Sequence, residues 1–179
     1  MGAVRWPDIQ PLVTARLVLE PLRLEHAGEM APLLADSELY TYIGGRPASE
    51  GELRARYARQ AVGQSEDGSE GWFNWILRLR STKEPVGTVQ ATLTARPGGV
   101  GADLAWVVAV AQQGRGYASE AVQAMADWLR RLGVVELSAY VHPDHAASAA
   151  VARHAGLRPT EVIVGGELRW TSIPPAGPS

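Results

Sequence analysis

The apolar positions switch repeatedly between strand and helix spacing. Arg16 to Glu20 (RLVLE) alternates, puts Leu17 and Leu19 on one face and predicts a short strand. Leu24 to Ala35 sets Ala27, Met30, Ala31 and Leu34 at helical intervals. A second helix is expected from Ser49, because Ser49-x-x-Glu52 is a capping box in which each side chain can satisfy a free amide. Leu53, Tyr57 and Ala61 continue its stripe. The acidic, glycine-flanked stretch Gly63 to Gly71 (GQSEDGSEG) reads as an exposed loop.

Strands then dominate. Trp72 to Arg80 and Val86 to Thr94 both alternate, with Glu84-Pro85 turning between them. Arg96-Pro97-Gly98-Gly99 closes a hairpin into the apolar strand Ala102 to Val110. Gly116 to Leu132 places Val122, Met125, Leu129 and Leu132 on one helical face and stops at Gly133. Val134 to Val141 predicts a strand, His145 to Ala155 a helix ended by Gly156, and Gly165-Gly166 a turn between two last strands. The order is strand, two helices, three antiparallel strands, helix, strand, helix, two strands. That predicts one α/β (mixed α+β) domain over residues 14–172, and excludes a doubly wound fold, which needs regular βαβ alternation. The proline-bearing ends, 1–13 and 173–179, are expected to be flexible tails.

Composition narrows the class. With 179 residues, 46% of them hydrophobic, the chain can bury about 70% of its unfolded surface without staples. It has no cysteine, which excludes disulfides, thiolate metal sites and a catalytic thiol. Lys+Arg number 17 against 19 Asp+Glu, for a net charge of −2, so nothing in the balance calls for nucleic acid. The longest apolar run, Leu104 to Ala111, falls far short of the roughly 20 residues that span a bilayer. The N-terminal segment holds no signal-peptide core, and the expectation is a soluble cytoplasmic protein.

The segment with chemical content is Val107 to Glu120 (VVAVAQQGRGYASE), where a buried strand runs into a helix through Gln113-Gly114-Arg115-Gly116-Tyr117-Ala118. Glycines let backbone amides converge, and the helix start adds a positive dipole end, so a phosphate can sit there without a dedicated lysine. The P-loop pattern is absent, and Gly114-x-Gly116-x-x-Ser119 comes too late in the chain for a dinucleotide fingerprint. Taken alone, a GxG is most often a turn with no ligand.

It does not stand alone. Gln113-x-x-Gly116-x-Ala118 matches the [QR]-x-x-G-x-[GA] signature of the GNAT superfamily of acetyl-CoA-dependent N-acetyltransferases, and the chain resembles that family over most of its length. Ala102-Asp103-Leu104-Ala105-Trp106 resembles the family's strand before the signature, Gly116 to Ala121 its helix start, and Ala155-Gly156-Leu157 the approach to its final hairpin. Arg16-Leu17-x-Leu19 and Val86-Gly87-Thr88 resemble the RimJ/RimL-like branch in particular.

The resemblance implies a mostly antiparallel sheet, splayed by a bulge between its fourth and fifth strands and flanked by about four helices. It implies that the backbone of Trp106, Val107 and Val108 pairs with the pantetheine arm of acetyl-CoA, with the Val108 amide as oxyanion donor. Gln113, Gly114, Arg115, Gly116, Tyr117 and Ala118 would hold the pyrophosphate through backbone amides; the Arg115 side chain could add a cation there, but a solvated surface arginine is the preferred reading. Where the family has N-x-x-S, this chain has His145 and Ser148. His145 could bind the pantetheine, titrate or cap the helix, and Ser148 is assigned as the proton donor to the thiolate or as a helix serine bonding its own backbone. Asp103, Glu120 and His142 are candidate bases; Glu120 is explained as well by the helix dipole.

Tyr40 and Tyr42 are expected to line the acceptor site, with Trp72 and Trp75 more often core. Glu66, Asp67 and Glu70 could draw a cationic acceptor or merely be solvated. No metal is implied, and the family admits a homodimer. The expected activity is direct acetyl transfer to a primary amine, foremost a protein N-terminal amine. A small-molecule amine and a non-catalytic CoA-binding sensor are the alternatives.

Overall fold

The computed structural model describes residues 4–172, and the tail expected at 173–179 lies outside them. Eight strands form one sheet: β1 Leu12–Val13, β2 Leu17–Pro21, β3 Glu70–Leu79, β4 Pro85–Arg96, β5 Gly99–Val108, β6 Glu136–Val141, β7 Leu157–Val164 and β8 Glu167–Ser172. Helices α1 Ala27–Leu33, α2 Glu50–Gln60, α3 Tyr117–Arg131 and α4 Ala146–His154 flank it. The spatial order is β1-β2-β3-β4-β5-β6-β8-β7, antiparallel throughout except for β5 beside β6. Among the described residues, no helix is long and apolar enough to cross a membrane.

Strand alternation divides the two layers. Phe73, Trp75 and Leu77 of β3, Val89, Ala91 and Leu93 of β4, and Ala102, Leu104 and Val108 of β5 join the main core with α3 and α4. At its centre the Trp128 ring meets Phe73 and Trp75 edge-on, each with centroids 5.5 Å apart, pairs worth about 0.5–1.5 kcal/mol beyond area burial. The opposite face carries a smaller core of Leu22, Ala27, Met30, Leu53, Tyr57 and Ile76 under α1 and α2. Arg78 reaches across that face to Glu20 and Glu29, tying β3 to β2 and α1.

Four expectations need correction. The helix expected over Leu24–Ala35 breaks into a 3-10 turn at Leu24–His26 and a short α1 ending at Leu33; Pro32 lies inside α1 and withholds one N–H from its ladder. Only half of the capping box at α2 forms: Ser49 Oγ accepts from the Glu52 amide at 3.2 Å, but the Glu52 carboxylate pairs with Arg46 instead.

The N-terminal segment is a strap over the sheet. The Trp6 indole donates to the Gly68 carbonyl at 3.0 Å, the Trp75 indole donates to Gln10 at 2.7 Å, and Leu12–Val13 pair with β2. Its prolines mask any period, yet Trp6, Ile9 and Leu12 still cover the core. The splay is present, without a bulge in the β4–β5 ladder. That register runs unbroken from Gly87↔Val108 to Arg96↔Gly99, while β5 and β6 pair only from Gly101↔Glu136 to Leu104↔Ala139 and then part.

Candidate active site

Strand pairing decides which amides of β5 are free. The Ala109 amide donates to Val86 at 2.8 Å. With the unbroken β4–β5 register, odd-numbered residues of β5 therefore bond to β4, and even-numbered ones turn their N–H and C=O toward β6. Ala102 and Leu104 meet β6 there, whereas Trp106 and Val108 face the opening where β6 has diverged. Val107, expected to join the same edge, is opposite Thr88 and turned to β4. An open backbone edge inside a sheet suits an added extended chain. The Val108 carbonyl is capped by Gln113 Nε2 at 3.0 Å.

The strand leads into a turn in which Gly114 (φ +77°) and Gly116 (φ +81°) are both left-handed and flank Arg115. Such alternation gathers N–H groups into an anion nest at the start of α3. The turn is held from below by Arg16. Its Nη1 donates to the Arg115 carbonyl at 2.8 Å, its Nε to Glu120 Oε1 at 2.8 Å, and its guanidinium lies 4.6 Å from the Tyr117 ring centre. Glu120 Oε2 also accepts from Thr14 Oγ1 and the Arg16 amide. Burial raises the Glu120 pKa, but these donors outweigh it and hold the group below its ordinary value. Glu120 is thus a structural anchor, fully occupied, and no base.

Across the opening, His145 caps α4 and Ser148 lies in its first turn, with His145 Nε2 at 3.4 Å from Ser148 Oγ. The Tyr42 ring stacks on His145 at 4.4 Å and tilts against His142 at 5.1 Å. Desolvation, reinforced by His142, lowers the His145 pKa and favours the neutral ring. His142 Nδ1 accepts from the Asp144 amide, which turns that ring to the loop's own support.

Under α2 and the segment from Leu34 to Ile43 lies a cavity of about 180 Å³ that reaches Val107, lined by Tyr40, Arg56, Tyr57, Gln60, Asn74, Thr88 and Gln90 among apolar side chains. Tyr40 lines it, with its hydroxyl on the Leu34 carbonyl; Tyr42, expected beside it, does not line the cavity and packs on His145 and His142 instead. Trp75 is fully buried, and Trp72 borders a neighbouring cavity shared with Trp6 and Ile9. Burial pushes the Tyr57 phenol up to about 12.

Asp103 is not brought to this cavity. It pairs with Arg96 at 2.9 Å in a polar cluster with Glu136, Arg169 and Ser138. The acidic loop also serves itself. Asp67 accepts from Ser69 Oγ, the Ser69 amide and Ser65 Oγ, which lower its pKa to about 2. Glu70 accepts the Trp72 indole N–H.

A family model described as an acetyltransferase (GNAT) domain matches residues 16–158. The chain belongs to the GNAT acetyltransferase family. No curated protein sequence matches it. An acetyltransferase from Agrobacterium tumefaciens is 25% identical, with 97% of this chain and 99% of that one covered at a TM-score of 0.70. RimL, the ribosomal L7/L12 alpha-N-protein acetyltransferase in complex with coenzyme A, is 17% identical over 94% and 100%, TM-score 0.73. AAC(6')-Ib with an aminoglycoside and acetyl-CoA is 16% identical over 87% and 92%, TM-score 0.72. At those last two identities the likeness is one of fold.

Within this GNAT chain, sequence reasoning missed Arg16 and Thr14 as supports of the turn, and the cavity wall of Gln60, Asn74, Thr88 and Gln90. The sequence pattern alone carries no signal for the wall. Asn74, Thr88 and Gln90 are the polar positions of two alternating strands, and two helices lie over that face, so they are not a solvent face.

Proposed function

We propose that this acetyltransferase moves an acetyl group from acetyl-CoA to the α-amine of a peptide or protein N-terminus, in the manner of RimJ/RimL-like enzymes. The observation that carries the donor half is the open edge at Trp106 and Val108, which runs straight into the Gly114–Gly116 nest. Acetyl-CoA, when bound, supplies the activated carbonyl; the rest falls to the chain's own groups. Backbone amides of Gln113 to Ala118 take the pyrophosphate. Because β5 and β6 part only after Leu104, Trp106 is deeper in the opening than Val108. The deeper amide suits the thioester oxygen and Val108 suits the arm, which moves the oxyanion donor one strand repeat from its first assignment. The neutral amine attacks the thioester carbonyl and gives up its proton to solvent, while Ser148, backed by His145, donates a proton to the leaving sulfur and regains one from solvent. Without cysteine there is no thiol-linked acetyl intermediate, and attack is direct.

The acceptor half rests on the cavity lining, which offers amide and hydroxyl groups, one arginine and no carboxylate. A polycationic aminoglycoside or polyamine would find no counter-charge there. A single neutral amine followed by peptide bonds meets Asn74, Thr88 and Gln90. RimL, whose fold this chain shares, acts on a protein α-amine.

Thiol release from acetyl-CoA is measured against peptides with free and blocked N-termini, aminoglycosides and polyamines. Turnover confined to free N-termini is expected; turnover of polycations alone would overturn the reading. With no carboxylate in the cavity the amine arrives neutral, so kcat/KM should rise with pH and level near about 8, the α-amine value. Ser148→Ala should lower kcat about 10–100-fold, the low end of general-acid effects.

A further inference from the structure

We infer that Arg16 is a positioning residue for the cofactor turn, a role that rests on reading Gln113–Ala118 as the pyrophosphate site. Its guanidinium donates to the Arg115 carbonyl at 2.8 Å and to Glu120 Oε1 at 2.8 Å. The Arg115–Gly116 peptide is planar and trans, so its C=O and N–H point in opposite directions. Holding the carbonyl toward Arg16 aims the Gly116 N–H at the other side of the turn, where the anion would sit.

Three further contacts fix the guanidinium itself. Glu120 takes Thr14 Oγ1 at 2.5 Å and the Arg16 amide at 3.0 Å, which ties the strand start to the first turn of α3. Tyr117 covers one face of the guanidinium. Gly116 leaves room for it, since a Cβ there would stand 3.3 Å from Arg16 Nη2. With Gly116 on one side, this peptide rotates more freely than one between two residues that carry a Cβ. An outside latch therefore orders the N–H groups before the ligand arrives, and ordering in advance is where affinity is gained. Glu120 neutralises Arg16 in place, which leaves the arginine an orienting group that does not compete with the nest for the phosphate.

The test compares two donors, acetyl-CoA and acetyl-pantetheine, which lacks the pyrophosphate. Arg16→Ala should lower kcat/KM for acetyl-CoA about tenfold, the loss expected for a hydrogen bond to a charged group. For acetyl-pantetheine the change should stay within about threefold, because transition-state contacts are untouched. Arg16→Lys reaches either Glu120 or the Arg115 carbonyl but not both, and should restore part of the loss. Glu120→Gln, the milder variant, should give the same split at smaller size and serves if Arg16→Ala does not fold. Equal losses on both donors would mean Arg16 only stabilises the fold, and an unchanged acetyl-CoA value would mean the turn needs no latch; either overturns the proposal. If the wild-type protein takes up no acetyl-CoA on titration, the pyrophosphate reading fails and this inference with it.

Discussion

Gly87→Ala is the most demanding test of the β5 geometry. Gly87 lies in β4 opposite Val108, and a Cβ there would come within 2.2 Å of the Val107 carbonyl oxygen and 3.0 Å of Val108 Cα. Both are backbone atoms, so no side chain can swing aside. To reach the 3.0–3.4 Å of the tightest real contacts, β5 must retreat by about 0.8–1.2 Å. Overpacking of this kind costs about 1–3 kcal/mol, offset by the roughly 0.5–1 kcal/mol that alanine gains over glycine in a strand. The net loss is about 1–2 kcal/mol, or about 2–8 °C in Tm for a chain of this size.

The displaced residues are those proposed to hold the donor, and a shift of about 1 Å can cost up to about 100-fold in rate. Thermal unfolding and thiol release, the latter run well below Tm, measure the two effects. Gly51→Ala in α2, with nothing within 4 Å of the new carbon, is the control and should gain up to about 0.5–1 kcal/mol. A Gly87→Ala protein with wild-type Tm and wild-type kcat/KM would refute the close approach of β4 to β5 and the site built on it.

Three further outcomes are expected. Gln90→Leu should raise the KM for the peptide acceptor about tenfold, one lost hydrogen bond's worth, and leave the KM for acetyl-CoA alone; steady-state kinetics with each substrate varied shows which moves. Trp128→Ala, opening a hole against Phe73 and Trp75, should cost about 3–5 kcal/mol, read as a lower urea midpoint. His145 has a lowered pKa, so the folded chain binds that proton less readily than the unfolded one. Its contribution is complete above the ordinary histidine value of about 6.5 and is lost as pH falls through the lowered value. Tm of wild type minus Tm of His145→Asn should therefore fall between pH 7 and 5, and a difference flat in pH would contradict it.

Sequence by itself determined seven of the eight strands, all but β1, together with the long α3 and the Gly114–Gly116 turn, because each is written locally. A period of two or 3.6, or a glycine pair at a helix start, is legible without neighbours. Only the tertiary structure decided the rest. The polar alternation of Asn74, Thr88 and Gln90 gives no hint of whether water or a helix faces it; α2 and the segment from Leu34 to Ile43 make it a cavity wall. Asp103 and Glu120 read as candidate bases until Arg96, and Arg16 with Thr14, are folded onto them from distant segments. Trp6, Ile9 and Leu12 have no period of their own and acquire a place only once there is a core to cover. A carboxylate's chemistry and an apolar residue's burial are properties of what packs against them, and partners such as Arg16 and Glu120, some hundred positions apart in the chain, are set by topology alone.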